Sequence, residues 1–289
     1  MATIIITGTN GFIGNELLQY FSSRGHTIIA LSRSKPQGLP GNVKYYKYDL
    51  STEPDEEPFK TADVVIHAAY QKYSDQCQNA NEINWSGTNR LLEISRRCGI
   101  KKFIYFSSFS SHAAALSNYG KSKFEIEKIF DNSRDLILKP GLVLGKRGTY
   151  ANLQQVIISR RIIPVFGDGK QPVQSIYIVD LIACIDNALK YNICGTFPLA
   201  EKEILSLKDA VKIISANAQK KNSFIHVPFS LALLLVKLAG NLRIKFPLSR
   251  ENILSLKSDI SYDTSKIEEV FKVKIRPFRE SVKQLVLPK

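Results

Sequence analysis

Along the first half of the chain, short runs of β-branched and aromatic residues alternate with longer stretches whose apolar positions recur at intervals of three and four. The runs Thr3–Thr7, Thr27–Leu31, Lys44–Tyr48, Asp63–His67, Lys102–Ser107 and Asp135–Lys139 predict strands. Glu16–Ser23, Ile83–Cys98 and Ser122–Phe130 predict helices among them. Parallel strands need a crossover connection, usually a helix, so this alternation predicts an α/β fold, a doubly wound parallel sheet with helices on both faces. Such sheets hold ligands beyond the carboxyl ends of their strands.

After about Pro140 the pattern changes. A helix over Leu153–Arg161, a strand over Val173–Ile178 and a helix over Val179–Lys190 give way to short mixed elements. We expect residues 1–165 to form one domain, with 170–195 returning to it. Residues 166–289 then form a smaller, partly interleaved C-terminal α/β part on the substrate side. No linker rich in Pro, Gly or Ser and no fixed-period repeat is visible between them.

The 289 residues, 44% hydrophobic and 23% charged, exclude a disordered, collagen-like or disulfide-stapled chain. Forty Lys and Arg against 26 Asp and Glu give a net charge of +14, which favours an anionic partner. The cations come in pairs such as Lys101-Lys102, Arg160-Arg161 and Lys220-Lys221 and not in runs, so no specific nucleic-acid binding is expected. Cys77, Cys98, Cys184 and Cys194 lie far apart, and His112 and His226 stand alone, so no metal site is expected. The first residues lack a basic n-region, and the apolar run Leu231–Val236 falls far short of the ~18–20 residues that cross a bilayer. A reducing, cytoplasmic localisation is the expectation.

Between the first predicted strand and helix stands Thr7-Gly8-Thr9-Asn10-Gly11-Phe12-Ile13-Gly14. Gly8 permits a tight turn, Gly11 lets backbone approach a pyrophosphate, and Gly14 lets helix and strand pack closely. The helix N-terminus then offers its N–H groups to the phosphates. At the end of the second strand, where an NAD-preferring site carries Asp or Glu, the chain reads Ala30-Leu31-Ser32-Arg33-Ser34-Lys35. Arg33, helped by Ser32 and Lys35, suits a 2′-phosphate, which predicts NADP(H) in preference to NAD(H).

Tyr119-Gly120-Lys121-Ser122-Lys123 heads the third predicted helix, and the spacing of four puts Tyr119 and Lys123 on one face. A free Tyr, with a pKa of ~10, is a poor base until a nearby ammonium stabilises its phenolate. Lys123 would supply that charge. Ser108, at the end of the preceding strand, is placed to hydrogen-bond a reacting oxygen.

Taken in order, these motifs resemble the extended branch of the short-chain dehydrogenase/reductase superfamily, the NAD(P)-dependent sugar-nucleotide epimerases, dehydratases and reductases, over about the first 190 residues. The resemblance implies a Rossmann-type fold and the roles of acid/base for Tyr119, activator and ribose ligand for Lys123, and orienter for Ser108. It implies further cofactor contacts from Asp49 and Leu50 after the third strand, and from His67, Ala68 and Ala69 after the fourth, with Tyr70 where a small residue is usual. Asn84 of Asn84-Trp85-Ser86-Gly87-Thr88 and Pro140, Gly141 and Val143 of Lys139–Gly145 complete the implied set. A homodimer through paired helices is also common in such proteins. The loop Phe109–Asn118 is short for the family.

On the substrate side, Gly167-Asp168-Gly169 leads to Val173, where many relatives carry an Arg for the nucleotide diphosphate. Lys146, Arg147, Arg243, Lys245 and Arg250 are alternative anion ligands, each weighed against an ordinary solvated cation. The apolar stretch Pro228–Leu238 is read as core or pocket roof, with peripheral membrane contact as the alternative. The expected function is hydride transfer on a hydroxyl or keto carbon of a small, phosphorylated or nucleotide-linked sugar. Two alternatives are carried: an NADPH-dependent reductase or dehydrogenase of a non-nucleotide or lipid-linked substrate, and a non-catalytic NADP-binding regulatory protein.

Overall fold

The structure, a computed structural model, describes residues 1–74, 77–241, 250–257 and 260–285. In chain order its first elements are β1 (Thr3–Thr7), α1 (Phe12–Ser23), β2 (Thr27–Ser32), β3 (Val43–Lys47), β4 (Val64–His67), α2 (Ala80–Arg97), β5 (Lys102–Phe106), α3 (Asn118–Glu127) and β6 (Leu136–Pro140). There follow β7 (Leu142–Leu144), α4 (Gly148–Ser159), β8 (Ile162–Phe166), β9 (Pro172–Val173), β10 (Ser175–Tyr177), α5 (Ile178–Lys190) and β11 (Gly195–Leu199). The last are β12 (Leu205–Ser206), α6 (Leu207–Asn217), β13 (Ser223–Val227), α7 (Phe229–Asn241), α8 (Arg250–Leu256), α9 (Ile267–Phe271) and α10 (Phe278–Gln284).

Seven strands form one sheet in the order β11-β6-β5-β4-β1-β2-β3. From β3 to β6 every neighbouring pair is parallel. The Ile4-Ile5-Ile6 run of β1 is fully buried, as a central strand covered on both faces must be. After β1 the chain builds outward to β2 and β3, then returns to the other side of β1 with β4, β5 and β6. The order therefore reverses between β1 and β4, and a crevice opens at their carboxyl ends. This is the doubly wound α/β sheet that the sequence predicts.

Two compact units divide the chain. The first comprises Met1–Ser108, Ser122–Lys139 and Ile182–Phe197, the second Phe109–Lys121, Pro140–Leu181 and Pro198–Lys289. The first has a core in which Phe59, Leu91, Phe103, Tyr105 and Ile137 pack against one another with almost no exposure. The second gathers Leu144, Tyr150, Ile163, Ile214, Phe278 and Val282. A smaller cluster joins Phe166 and Ala232 to Ile253.

The strand expected over Val173–Ile178 is divided. Val173 pairs with Leu205 of β12, whereas Ser175–Tyr177 pair with Leu142–Leu144 of β7. Gln174, buried between them, donates from its amide to the carbonyl of Tyr262 and accepts from the Tyr262 N–H, so the run changes partner at that residue.

Candidate functional site

The glycine loop lies at the β1/β4 switch point. Gly8 has φ +71°, the left-handed region that L side chains rarely adopt, and a Cβ there would stand 2.8 Å from the backbone of Ala69. The Gly11 N–H donates to the Gly8 carbonyl at 2.8 Å, and a Cβ on Gly14 would meet that same oxygen at 2.4 Å. Turn and helix are thus pressed together where side chains have no room. Gly11 caps α1 without any side-chain hydrogen bond, and no carboxylate stands in the first turn. An uncompeted helix N-terminus behind an exposed glycine turn fits the pyrophosphate of a dinucleotide.

The loop is sewn to the end of β2. Gly8 N–H donates to Leu31 O at 2.9 Å, the Thr9 hydroxyl to Ser32 Oγ at 3.1 Å, and the Asn10 amide to Ser34 O at 2.7 Å. Ser32 in turn donates to Ser34 O at 2.9 Å. Its hydroxyl is buried and engaged within this network, which leaves Arg33 and Lys35, both exposed, as the cations at this corner. The Arg33 guanidinium donates to Gln71 Oε1 at 3.3 Å and stands 4.0 Å from the Asp49 carboxylate. Hydrogen bonds from the Ser51 hydroxyl and N–H hold the Asp49 carboxyl below its ordinary pKa.

Behind the loop, His67 is buried with both ring nitrogens engaged, Nδ1 with the Thr7 hydroxyl at 2.7 Å and Nε2 with Thr88 Oγ1 at 3.0 Å. Thr88 spends its proton on Asn84 O, and Thr7 Oγ1 accepts from the Ala69 N–H, so the network assigns a neutral imidazole protonated on Nε2. Burial, and then the charge of Lys123, push the His67 pKa down to about 3. Asn84 accepts from Gln71 N–H and donates to Gln71 O, both at 2.8 Å. The side chains of His67 and Asn84 therefore act on the protein, fixing the course of Ala68–Gln71 beside Gly8.

Lys123 is buried in the first unit. Its ammonium donates to Phe106 O at 2.6 Å and lies 4.8 Å from the Tyr70 ring centre and 4.6 Å from that of Tyr105. Burial pushes its pKa down to about 7, and the negative charge of Glu127 pulls partly against that. Glu127 accepts a short hydrogen bond from Ser107 Oγ and pairs with Lys139 at 3.1 Å. The unusual Tyr70 is thus one wall of the lysine pocket. Ser108, next to Ser107, is half-buried.

Tyr119 lies one turn before Lys123 on the continuous helix α3, in the part that belongs to the second unit. Its backbone N–H donates to Glu251 at 3.3 Å, and the Asn118 amide donates to the other oxygen of that carboxylate, also at 3.3 Å. Gly120 is buried, and a Cβ there would clash with Ser110 O. The short Phe109–Asn118 loop is tied down by Tyr262, whose hydroxyl donates to the carbonyls of Phe109 and Ser111 at 3.2 Å each. Glu127 has a signal that sequence reasoning could have used, its place four residues past Lys123. Glu251 has none, because it lies 132 residues from Tyr119.

Pro140, Gly141 and Val143 fall in the second unit, where Gly141 N–H donates to Leu199 O at 3.0 Å. Val173 is half-buried against the core of that unit. Of the cations weighed as anion ligands, Lys146, Arg147 and Arg250 are exposed, whereas Arg243 and Lys245 lie outside the described residues. Among the described residues no cluster of His, Cys, Asp or Glu forms a metal site, and no helix is long and apolar enough to cross a membrane.

The sheet order and the glycine loop at its switch point define a nicotinamide-dinucleotide-binding protein of the extended short-chain dehydrogenase/reductase type. The chain belongs to the NAD dependent epimerase/dehydratase family, whose model matches residues 4–194. It is 25% identical over 273 residues to a UDP-glucose 4-epimerase of Vibrio cholerae, covering 82% of each chain. It is 22% identical to the mitochondrial NADH dehydrogenase [ubiquinone] 1 alpha subcomplex subunit 9 of Arabidopsis thaliana, over 87% of this chain and 67% of that one. In fold it matches the UDP-glucuronic acid 4-epimerase of Bacillus cereus, solved with UDP-glucuronic acid and NAD, with a TM-score of 0.75 at 19% identity over 97% of this chain and 96% of that one.

Proposed function

We propose that the protein is an NADP(H)-linked epimerase or reductase that transfers hydride at a hydroxyl or keto carbon of a nucleotide sugar, using Ser108, Tyr119 and Lys123. The observation that carries this reading is the buried Lys123 ammonium, held by Phe106 O and two aromatic rings one helical turn after Tyr119. A lysine desolvated this far from bulk water needs a use for its charge, and a neighbouring phenol is such a use.

In this mechanism the loop Gly8–Gly14 binds the pyrophosphate and Arg33 binds the 2′-phosphate. The bound dinucleotide supplies the hydride donor or acceptor at C4 of its nicotinamide. Ser108 orients the substrate oxygen by a hydrogen bond. Tyr119 gives the proton to that oxygen as a phenol or takes it as a phenolate, and Lys123 stabilises the phenolate form. Four cysteines far apart along the chain fit a reducing, cytoplasmic setting.

One observation favours a second reading. Val173 occupies the place of the expected diphosphate Arg and packs into an apolar cluster, which suits a reductase of a non-nucleotide or lipid-linked substrate.

Tyr119→Phe tests the assignment. It should abolish turnover and leave dinucleotide affinity within about twofold; retained turnover overturns it. Mass spectrometry of nucleotide released on denaturation separates the reactions. NADP held near one per chain marks an epimerase or dehydratase that recycles its cofactor, and an empty protein that binds NADPH marks a reductase.

A further inference from the structure

Glu127 has no place in the family set read from the sequence, yet Ser107 and Lys139 of the first unit both bond its carboxylate. Ser107 Oγ donates to one carboxylate oxygen, and Lys139 Nζ pairs with the other at 3.1 Å. Lys123 lies one turn earlier on the same helix, and its side of α3 therefore carries Glu127 as well. The Lys139 and Glu127 side chains are only 9% and 12% exposed, so their charges are weakly screened.

We propose that Glu127 is a positioning residue of this site, fixing the end of β5 through Ser107 and serving as counter-charge to Lys123. This rests on the reading of Lys123 and Tyr119 given above. Ser107 immediately precedes Ser108, and its N–H donates to Leu138 O at 2.8 Å. Strand β5 is thus held by its neighbour β6 through backbone and by α3 through Glu127, which limits how far Ser108 can swing.

The electrostatic part depends on what faces Lys123. From β5 come the Tyr105 ring and the Phe106 carbonyl, and from the chain after β4 the Tyr70 ring. From β4 comes His67, neutral and buried, and from α3 comes Glu127. Lys139 of β6 pairs with Glu127 at 3.1 Å. Of these groups Glu127 is the one whose anionic charge supports the ammonium. Its removal therefore favours the neutral amine.

The test follows the lysine ε-carbons by 13C NMR against pH in the intact chain, with the Lys123 signal assigned by its loss in Lys123→Arg. Glu127→Gln should lower the Lys123 midpoint by about one pH unit, the usual size for loss of a close opposite charge. Glu127→Asp, which keeps the charge on a shorter arm, should restore at least half of the shift. It also serves as the reading if the Gln variant does not fold, and should then lie below wild type. A Lys123 midpoint unchanged in a folded Glu127 variant overturns the inference. A purely structural role would lower melting temperature without moving that midpoint. The NMR reading needs no turnover, so its failure is distinct from failure of the hydride-transfer reading, which Tyr119→Phe decides.

Discussion

Glu251, from the second unit's helix α8, accepts the backbone N–H of Tyr119 at 3.3 Å. A carboxylate at the start of a helix satisfies an N–H that has no intrahelical partner and complements the helix dipole. It also fixes where the helix begins, and with it the residue assigned as acid/base. Glu251→Gln should speed hydrogen exchange of the Tyr119 amide by roughly tenfold, with a stability loss of about 0.5–1 kcal/mol. Exchange unchanged at Tyr119 would show that the contact does not order the helix start.

Gly14→Ala should be far more damaging. The added methyl meets the Gly8 carbonyl at 2.4 Å, and both partners are backbone in a packed turn. We expect about 1–3 kcal/mol lost from stability and no dinucleotide binding detectable by fluorescence titration. Binding at the wild-type level would disprove the assigned role of the turn.

Arg33→Asp tests the proposed preference for NADP(H) and should reverse it. It removes the cation offered to a 2′-phosphate and installs the carboxylate that accepts ribose hydroxyls. Titration with both reduced cofactors should show NADPH weakened at least about tenfold and NADH strengthened. Equal affinities in the wild type would exclude the preference at once.

Acid should weaken the fold through His67. Its folded pKa of about 3 lies below the ~6.5 of an unfolded histidine, so the unfolded chain binds the extra proton between those values. Stability attributable to this residue is complete above pH 6.5 and falls by about 1.4 kcal/mol per pH unit as pH drops toward 3. His67→Gln should be less stable at pH 7 but show a shallower acid slope in urea titrations at pH 7, 5 and 4. Equal slopes would contradict a neutral buried imidazole.

The sheet was legible because its central strands are buried on both faces and read as near-continuous apolar runs, Ile4-Ile5-Ile6 most plainly. The glycine loop was legible because steric exclusion at Gly8 and Gly14 leaves a fixed spacing. What sequence could not show is how polar side chains divide their bonds. His67 and Asn84 look alike as ligands or as struts until their partners at Thr7, Thr88 and Gln71 are seen. Helix α3 begins at Asn118, four residues before the apolar periodicity does, because Glu251 supports a first turn that carries no hydrophobic stripe. Partners so distant along the chain leave no local trace.

The chain passes between its two units after Ser108, Lys121, Lys139, Leu181 and Phe197. During synthesis the first unit therefore cannot close until residue 197 has left the ribosome, because its last segment arrives only then. Neither unit is a module that a single cut would release. Exchanging the first unit between relatives would mean grafting three segments together, so its inheritance is tied to that of the part it is threaded through.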